Sequence, residues 1–180
     1  MGTNVPNANC GLPEDDHTTA RAEQQDAHDS RKKRRHPAHG VLIIGDQPTI
    51  VFVTVCTKYR IRWLATPEVH CLLREVWTKA TAWLVGRYVV MPDHIHLFAA
   101  PNDTPITLDK WITYWKSQFS KRHGVPEHRW LTDHWDTRLR HEESYDQKWE
   151  YVRRNPVRHG LVGKPEDRPF QGEIHALRWE

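Results

Sequence analysis

The chain has 180 residues, 38% of them hydrophobic, with 26 Lys or Arg against 23 Asp or Glu and a net charge of +3. That length suits one domain plus a tail, and no stretch approaches the roughly 20 apolar residues that a membrane-spanning helix needs. Cys10, Cys56 and Cys71 form no C-x-x-C pair, which argues against a disulfide framework and against a cysteine zinc site.

Residues 1–40 are rich in Asn, Asp, Glu, Gln, His and Thr and lack apolar periodicity, so a disordered tail is expected there, with a folded domain over 41–180. Residues 1–35 carry six basic and six acidic residues, so the net +3 resides in the domain. That is a mild excess, which permits an anionic partner without requiring one. The basic run Arg31-Lys32-Lys33-Arg34-Arg35 suits nucleic-acid contact or a solvated charge cluster equally. No apolar signal segment opens the chain, and a cytoplasmic protein is the expectation.

Thr49 to Thr57 is dominated by β-branched residues and reads as a buried strand. Thr66-Pro67-Glu68 is a helix start: a capping hydroxyl, proline in the first turn, then an acid favourable to the helix dipole. The helix is expected to run to about Trp83, with Leu72, Leu73, Val76, Trp77 and Ala80 on one face. Strands are expected over Leu84–Val90 and His94–Ala99, joined at Pro92-Asp93, and a loop follows over Pro101–Pro105. A second helix spans about Leu108–Lys121, with Trp111, Ile112, Trp115 and Phe119 as its stripe. After a loop over Gly124–Arg129, a fourth strand falls within Trp130–Leu139. A third helix starts at Ser144 and is expected to end at Asn155, before Pro156. This order, β-α-β-β-α-β and then a helix, is an α+β, ferredoxin-like pattern. It implies an antiparallel sheet with helices on one face and an additional C-terminal helix.

Strand alternation puts Ile95 and Leu97 on one face and His94 and His96 together on the other. Two imidazoles side by side make half of a divalent metal site, although such a pair on a strand is more often two surface or satisfied histidines. On the third helix Tyr145, Trp149 and Val152 share the core stripe. Tyr151 and Asn155, at i and i+4, lie off it. Tyr145 thus has a packing explanation that Tyr151 lacks. Trp77, Trp111 and Trp115 are expected in the core, whereas Trp63, Trp130, Trp135 and Trp179 are candidates for stacking on bases.

The run Tyr88-Val89-Val90-Met91-Pro92-Asp93-His94-Ile95-His96-Leu97-Phe98, followed much later by Lys148-Trp149-Glu150-Tyr151-Val152-Arg153-Arg154-Asn155-Pro156-Val157-Arg158-His159-Gly160, resembles the REP-associated tyrosine transposases. These are single-tyrosine members of the His-hydrophobic-His enzymes, and the resemblance covers about residues 41–180. It implies that His94 and His96, with Asn155 as third ligand, hold Mg²⁺ or Mn²⁺. Tyr151 would attack a phosphate of single-stranded or hairpin DNA, leaving a 5′-phosphotyrosine and a free 3′-hydroxyl for strand transfer. A monomer or a homodimer is expected, and the sequence does not choose between them. Arg60, Arg62, Lys116, Lys121, Arg122, Arg153, Arg154 and Arg158 are the expected phosphate contacts. Arg168-Pro169-Phe170 departs from the Trp-Pro-aromatic run common in relatives. Two alternatives remain open: a non-catalytic hairpin-binding protein on the same fold, and a metal-dependent hydrolase using the His pair with water.

Overall fold

Among the described residues five antiparallel strands form one sheet, in the spatial order Trp130–Arg138, Val51–Thr57, His94–Pro101, Trp83–Val90, Gln171–Glu173, so the strand that carries the His pair has hydrogen-bonded neighbours along both edges. The structure, a computed structural model, describes residues 49–102, 105–139 and 142–178; the tail expected over 1–40 lies outside the described residues. The strands are β1 (Val51–Thr57), β2 (Trp83–Val90), β3 (His94–Pro101), β4 (Trp130–Arg138) and β5 (Gln171–Glu173). The helices are α1 (Pro67–Lys79), α2 (Leu108–His123), α3 (Glu142–Arg153) and the four-residue α4 (Asn155–Arg158). Among the described residues no helix is long and apolar enough to cross a membrane.

Helix α1 begins where its sequence dictates, with the Thr66 hydroxyl accepting from the Val69 amide at 3.3 Å and Pro67 in the first turn. It ends at Lys79, short of Trp83. The Ala80 carbonyl accepts from the Trp111 indole at 2.7 Å, and Trp83 opens β2 instead. Helix α2 runs two residues beyond the expected Lys121 and stops where Gly124 takes a left-handed φ of 69°. Strand β5 was not readable from periodicity, since it is three residues long and includes Gly172. A Cβ at Gly172 would stand 2.9 Å from the Tyr88 hydroxyl, so only glycine lets this segment lie against β2.

Period-two alternation sorts the sheet residues into two cores. Val51, Val53, Val55, Ile95, Leu97 and Ala99 pack with Trp77, Trp111, Trp115 and Phe119 of α1 and α2. Ile50 and Phe98 face the other way and pack with Tyr145 and Val152 of α3. The Tyr145–Trp149–Val152 stripe is therefore the buried one, and α3 covers the face that α1 and α2 leave open. Arg168 also belongs to the packing: it is buried, and two of its guanidinium nitrogens donate to the Val90 carbonyl, one at 3.1 Å. Trp63 and Trp130 depart from expectation. Trp63 is buried, and the two rings meet at 5.0 Å in a cluster with Phe119, so neither is an open stacking surface. Trp135 is half-buried on β4, and Trp179 lies outside the described residues.

Lys116 is likewise a structural residue and not a surface phosphate contact. It is 8% exposed and donates to the Leu131 and Thr132 carbonyls at 2.9 and 3.1 Å, tying α2 to β4. Burial pulls its pKa from the ordinary 10.5 down to about 8. Between those values the unfolded chain holds a proton that the folded chain has released, so this group makes stability rise with pH there. Urea unfolding of the wild type is expected to give about 2 kcal/mol more stability from Lys116 at pH 9.5 than at pH 7.5. Lys116→Met should lose that increment, and equal slopes in the two proteins would show that Lys116 is not its source.

Candidate active site

His94 and His96 stand on the α3 face of β3, with their Nε2 atoms 3.1 Å apart and their rings nearly perpendicular at 83°. Each ring is held from behind. The Asp93 carboxylate accepts from His94 Nδ1 at 2.7 Å, which leaves Nε2 with a free lone pair. Thr54, directly opposite His96 in the β1–β3 register, places its hydroxyl 2.9 Å from His96 Nδ1. Phe52 stacks on the His96 ring at 5.4 Å.

Burial holds both imidazoles neutral: it pulls His96 down to about 3, helped by the neighbouring His94, and lowers His94 against the opposing pull of Asp93. Neutral imidazole is the form that binds metal. Metal–nitrogen bonds of about 2.1 Å, at angles between octahedral and tetrahedral, separate two donor nitrogens by roughly 3.0–3.4 Å. The 3.1 Å separation fits one shared ion. It also fits one N–H donating to the other ring, with Thr54 then donating to His96. Among the described residues no group of three or more His, Cys, Asp and Glu could hold a metal, so the imidazole pair offers only part of an ion's ligand set.

Arg60 locks in beside the pair. Its Nε meets Asp93 Oδ2 at 2.8 Å, NH1 donates to Cys56 Sγ at 2.7 Å, and NH2 lies 3.4 Å from His94 Nδ1. It is the only one of the expected cationic contacts whose guanidinium touches a partner of the His pair among the described residues.

The α3 helix brings Tyr151 to the same side. Phe98, two residues beyond His96, packs edge-on against Tyr145 at 4.8 Å, seating the helix. Lys148 then spans the gap: its ammonium lies 4.6 Å from the Phe52 ring and 5.4 Å from the Tyr151 ring. Arg158 covers Tyr151 from α4 at 4.4 Å. Tyr151 remains 53% exposed, whereas Asn155 is buried and its amide oxygen lies 3.4 Å from Arg158 NH1. His159, at the end of α4, puts its ring 6.5 Å from that of His94.

The helix end differs from expectation. Pro156 has no N–H and would clash with the carbonyl four residues back, so α3 closes at Arg153 and the chain turns at Arg154. Asn155 and Pro156 then open α4, where proline's missing donor costs nothing.

The other expected cations lie elsewhere or are paired. Lys121 and Arg122 stand on α2, across the sheet, and Arg122 pairs with Glu75. Arg153 pairs with Glu150 at 2.5 Å and Glu166 at 3.0 Å, and Arg154 with Glu150 at 2.7 Å. Arg62 is exposed in the segment after β1. Thr54, Phe52 and His159 join the site without having been anticipated, because only the cross-strand register and the turn at Arg154 bring them there.

A ferredoxin-like sheet thus carries the His-hydrophobic-His pair on a central strand, with the Tyr151 helix on the same face. The chain is similar to the REP-associated tyrosine transposases in both sequence and structure. It is 29% identical to the REP-associated tyrosine transposase of Escherichia coli (strain K12) over 123 residues, 66% of this chain and 73% of that relative. A solved structure of a REP-associated tyrosine transposase bound to a REP hairpin superposes with a TM-score of 0.61 at 25% identity, covering 69% of this chain and 76% of that one. No family model matches the chain.

Proposed function

We propose that the protein is a metal-dependent single-strand DNA endonuclease and strand transferase that acts on hairpin DNA through a covalent link at Tyr151. The observation that carries this reading is the placement of Tyr151 by α3 on the face of the His pair, separated from it by Lys148 and Phe52. A curated relative and a solved structure both described as a REP-associated tyrosine transposase, the latter bound to a REP hairpin, support the substrate class.

In this reading His94, His96 and Asn155 hold Mg²⁺ or Mn²⁺. When bound, the cation withdraws charge from the scissile phosphate and stabilises the charge that develops on it. Arg60 and Arg158 flank the phosphate, and Lys148 offers a third cation beside the attacking ring. The Tyr151 oxygen forms a bond to phosphorus, and the bond from phosphorus to the 3′-oxygen breaks. The phenolic proton ends on that 3′-oxygen. The phosphotyrosine conserves the phosphodiester bond, so a second 3′-hydroxyl can reverse the step and join a different strand.

The test is to incubate the full chain with Mn²⁺ and a labelled DNA hairpin carrying single-stranded flanks, digest the product, and map the modified peptide by mass spectrometry. A nucleotide on Tyr151, formed with Mn²⁺ and absent with a chelator, is the expected result. Cleavage with no protein-linked nucleotide would replace this reading with a water-using hydrolase. Binding without cleavage would leave a hairpin-binding module.

A further inference from the structure

Tyr59 and Arg60 are the only non-glycine residues with positive φ among the described residues, both at 58°. Left-handed backbone is uncommon for any side chain with a Cβ and unusual for a large aromatic one, and two in succession need an external hold. That hold is visible. The Lys58 amide donates to the Arg129 carbonyl at 2.8 Å, and the Thr57 hydroxyl lies 2.8 Å from the Ile61 carbonyl and 3.0 Å from that of Asp93.

The strain has a clear use for Arg60, whose side chain turns inward to Asp93, the partner of His94. Tyr59 gains nothing from it. Tyr59 is 81% exposed, and the ammonium of its neighbour Lys58 lies 5.0 Å from its ring. Ile61 follows at 50% exposure, and Arg62 is exposed beyond it. The segment Lys58-Tyr59-Arg60-Ile61-Arg62 thus alternates cations with exposed apolar side chains on a pinned backbone, one residue from the contact that orients His94.

A solvent-facing aromatic ring between cations, on a backbone held in place, suits an unpaired nucleotide: the base stacks and the neighbouring phosphates meet the charges. Pinning the backbone in advance lowers the cost of ordering this segment on binding. We propose that Tyr59 is a stacking platform for an unpaired base beside the active site, with Lys58 and Arg62 on the flanking phosphates. The proposal rests on the DNA-processing reading above and adds a binding residue to it.

The experiment titrates the full chain, with chelator present to keep strands intact, against one synthetic hairpin made blunt or with a single-stranded arm. The arm carries 2-aminopurine at each position in turn, and salt is held fixed. Tyr59→Asn removes the ring and suits the left-handed backbone, so the variant should melt no lower than wild type. Wild type and Tyr59→Trp are expected to quench 2-aminopurine at one or two arm positions. Tyr59→Asn should lose the quench and bind the armed hairpin about tenfold more weakly, with blunt-hairpin affinity unchanged. Unchanged quenching or armed-hairpin affinity in Tyr59→Asn would overturn the proposal, as would an equal loss on both hairpins, which would mark the ring as structural. Wild type that binds neither hairpin would instead remove the DNA reading itself.

Discussion

Tyr151→Phe is expected to reduce DNA cleavage by about a thousandfold or more and to abolish the covalent protein–DNA band, while hairpin binding stays within about twofold of wild type. The substitution deletes one oxygen and nothing else. The ring keeps its place between Arg158 at 4.4 Å and Lys148 at 5.4 Å, so the cationic surroundings of the proposed phosphate position are retained. At 53% exposure the hydroxyl supports no core packing, and stability should stay within about 0.5 kcal/mol. The comparison is made on a denaturing gel with Mn²⁺ and labelled hairpin, alongside a binding titration on the same samples. Cleavage at the wild-type rate in Tyr151→Phe would assign the chemistry to water at the His pair.

Phe98→Ala is expected to cost about 3–5 kcal/mol and to lower the melting temperature by roughly 10–20 °C. Phe98 is fully buried and is the hinge pin between sheet and tyrosine helix: its ring meets Tyr145 at 4.8 Å, Phe52 at 5.3 Å and Trp149 at 6.3 Å. Truncation leaves a void under α3 that the hydrogen-bonded sheet below cannot readily move to fill. Domains of this size hold only about 5–15 kcal/mol in total. Below the new melting point, cleavage should fall further than the population of folded molecules accounts for, because α3 alone carries Tyr151 to the site. A melting shift of a degree or two would mean that α3 is seated by other contacts.

Much of the frame was legible because it follows from short-range rules. The β-branched run of β1, the Thr66-Pro67 cap and the alternation Ile95/Leu97 against His94/His96 each need only the local sequence. So did the separation of Tyr145, Trp149 and Val152 from Tyr151. What escaped depends on partners distant in the chain. Thr54 becomes a support for His96 only through the β1–β3 register, 42 residues apart. Lys116 looked like a surface cation because periodicity identifies a helix face without saying that two carbonyls of β4 wait for an ammonium there. Trp63 lies in a segment with no periodic signal, and its burial is decided by Phe119 and Trp130. The turn at Arg154 was misplaced by two residues, since Pro156 forbids a continuing helix but does not fix where the chain bends.

The two halves of the candidate site sit on supports of unequal endurance. β3 is hydrogen-bonded to strands on both sides and packed on both faces, whereas α3 clings to the sheet by one stripe and leaves its Tyr151 edge to water. Local openings start where few buried contacts must be broken. Fluctuation is therefore expected to release the Tyr151 helix while the imidazole pair stays assembled, and heating to part the two before it dismantles the nitrogen pair.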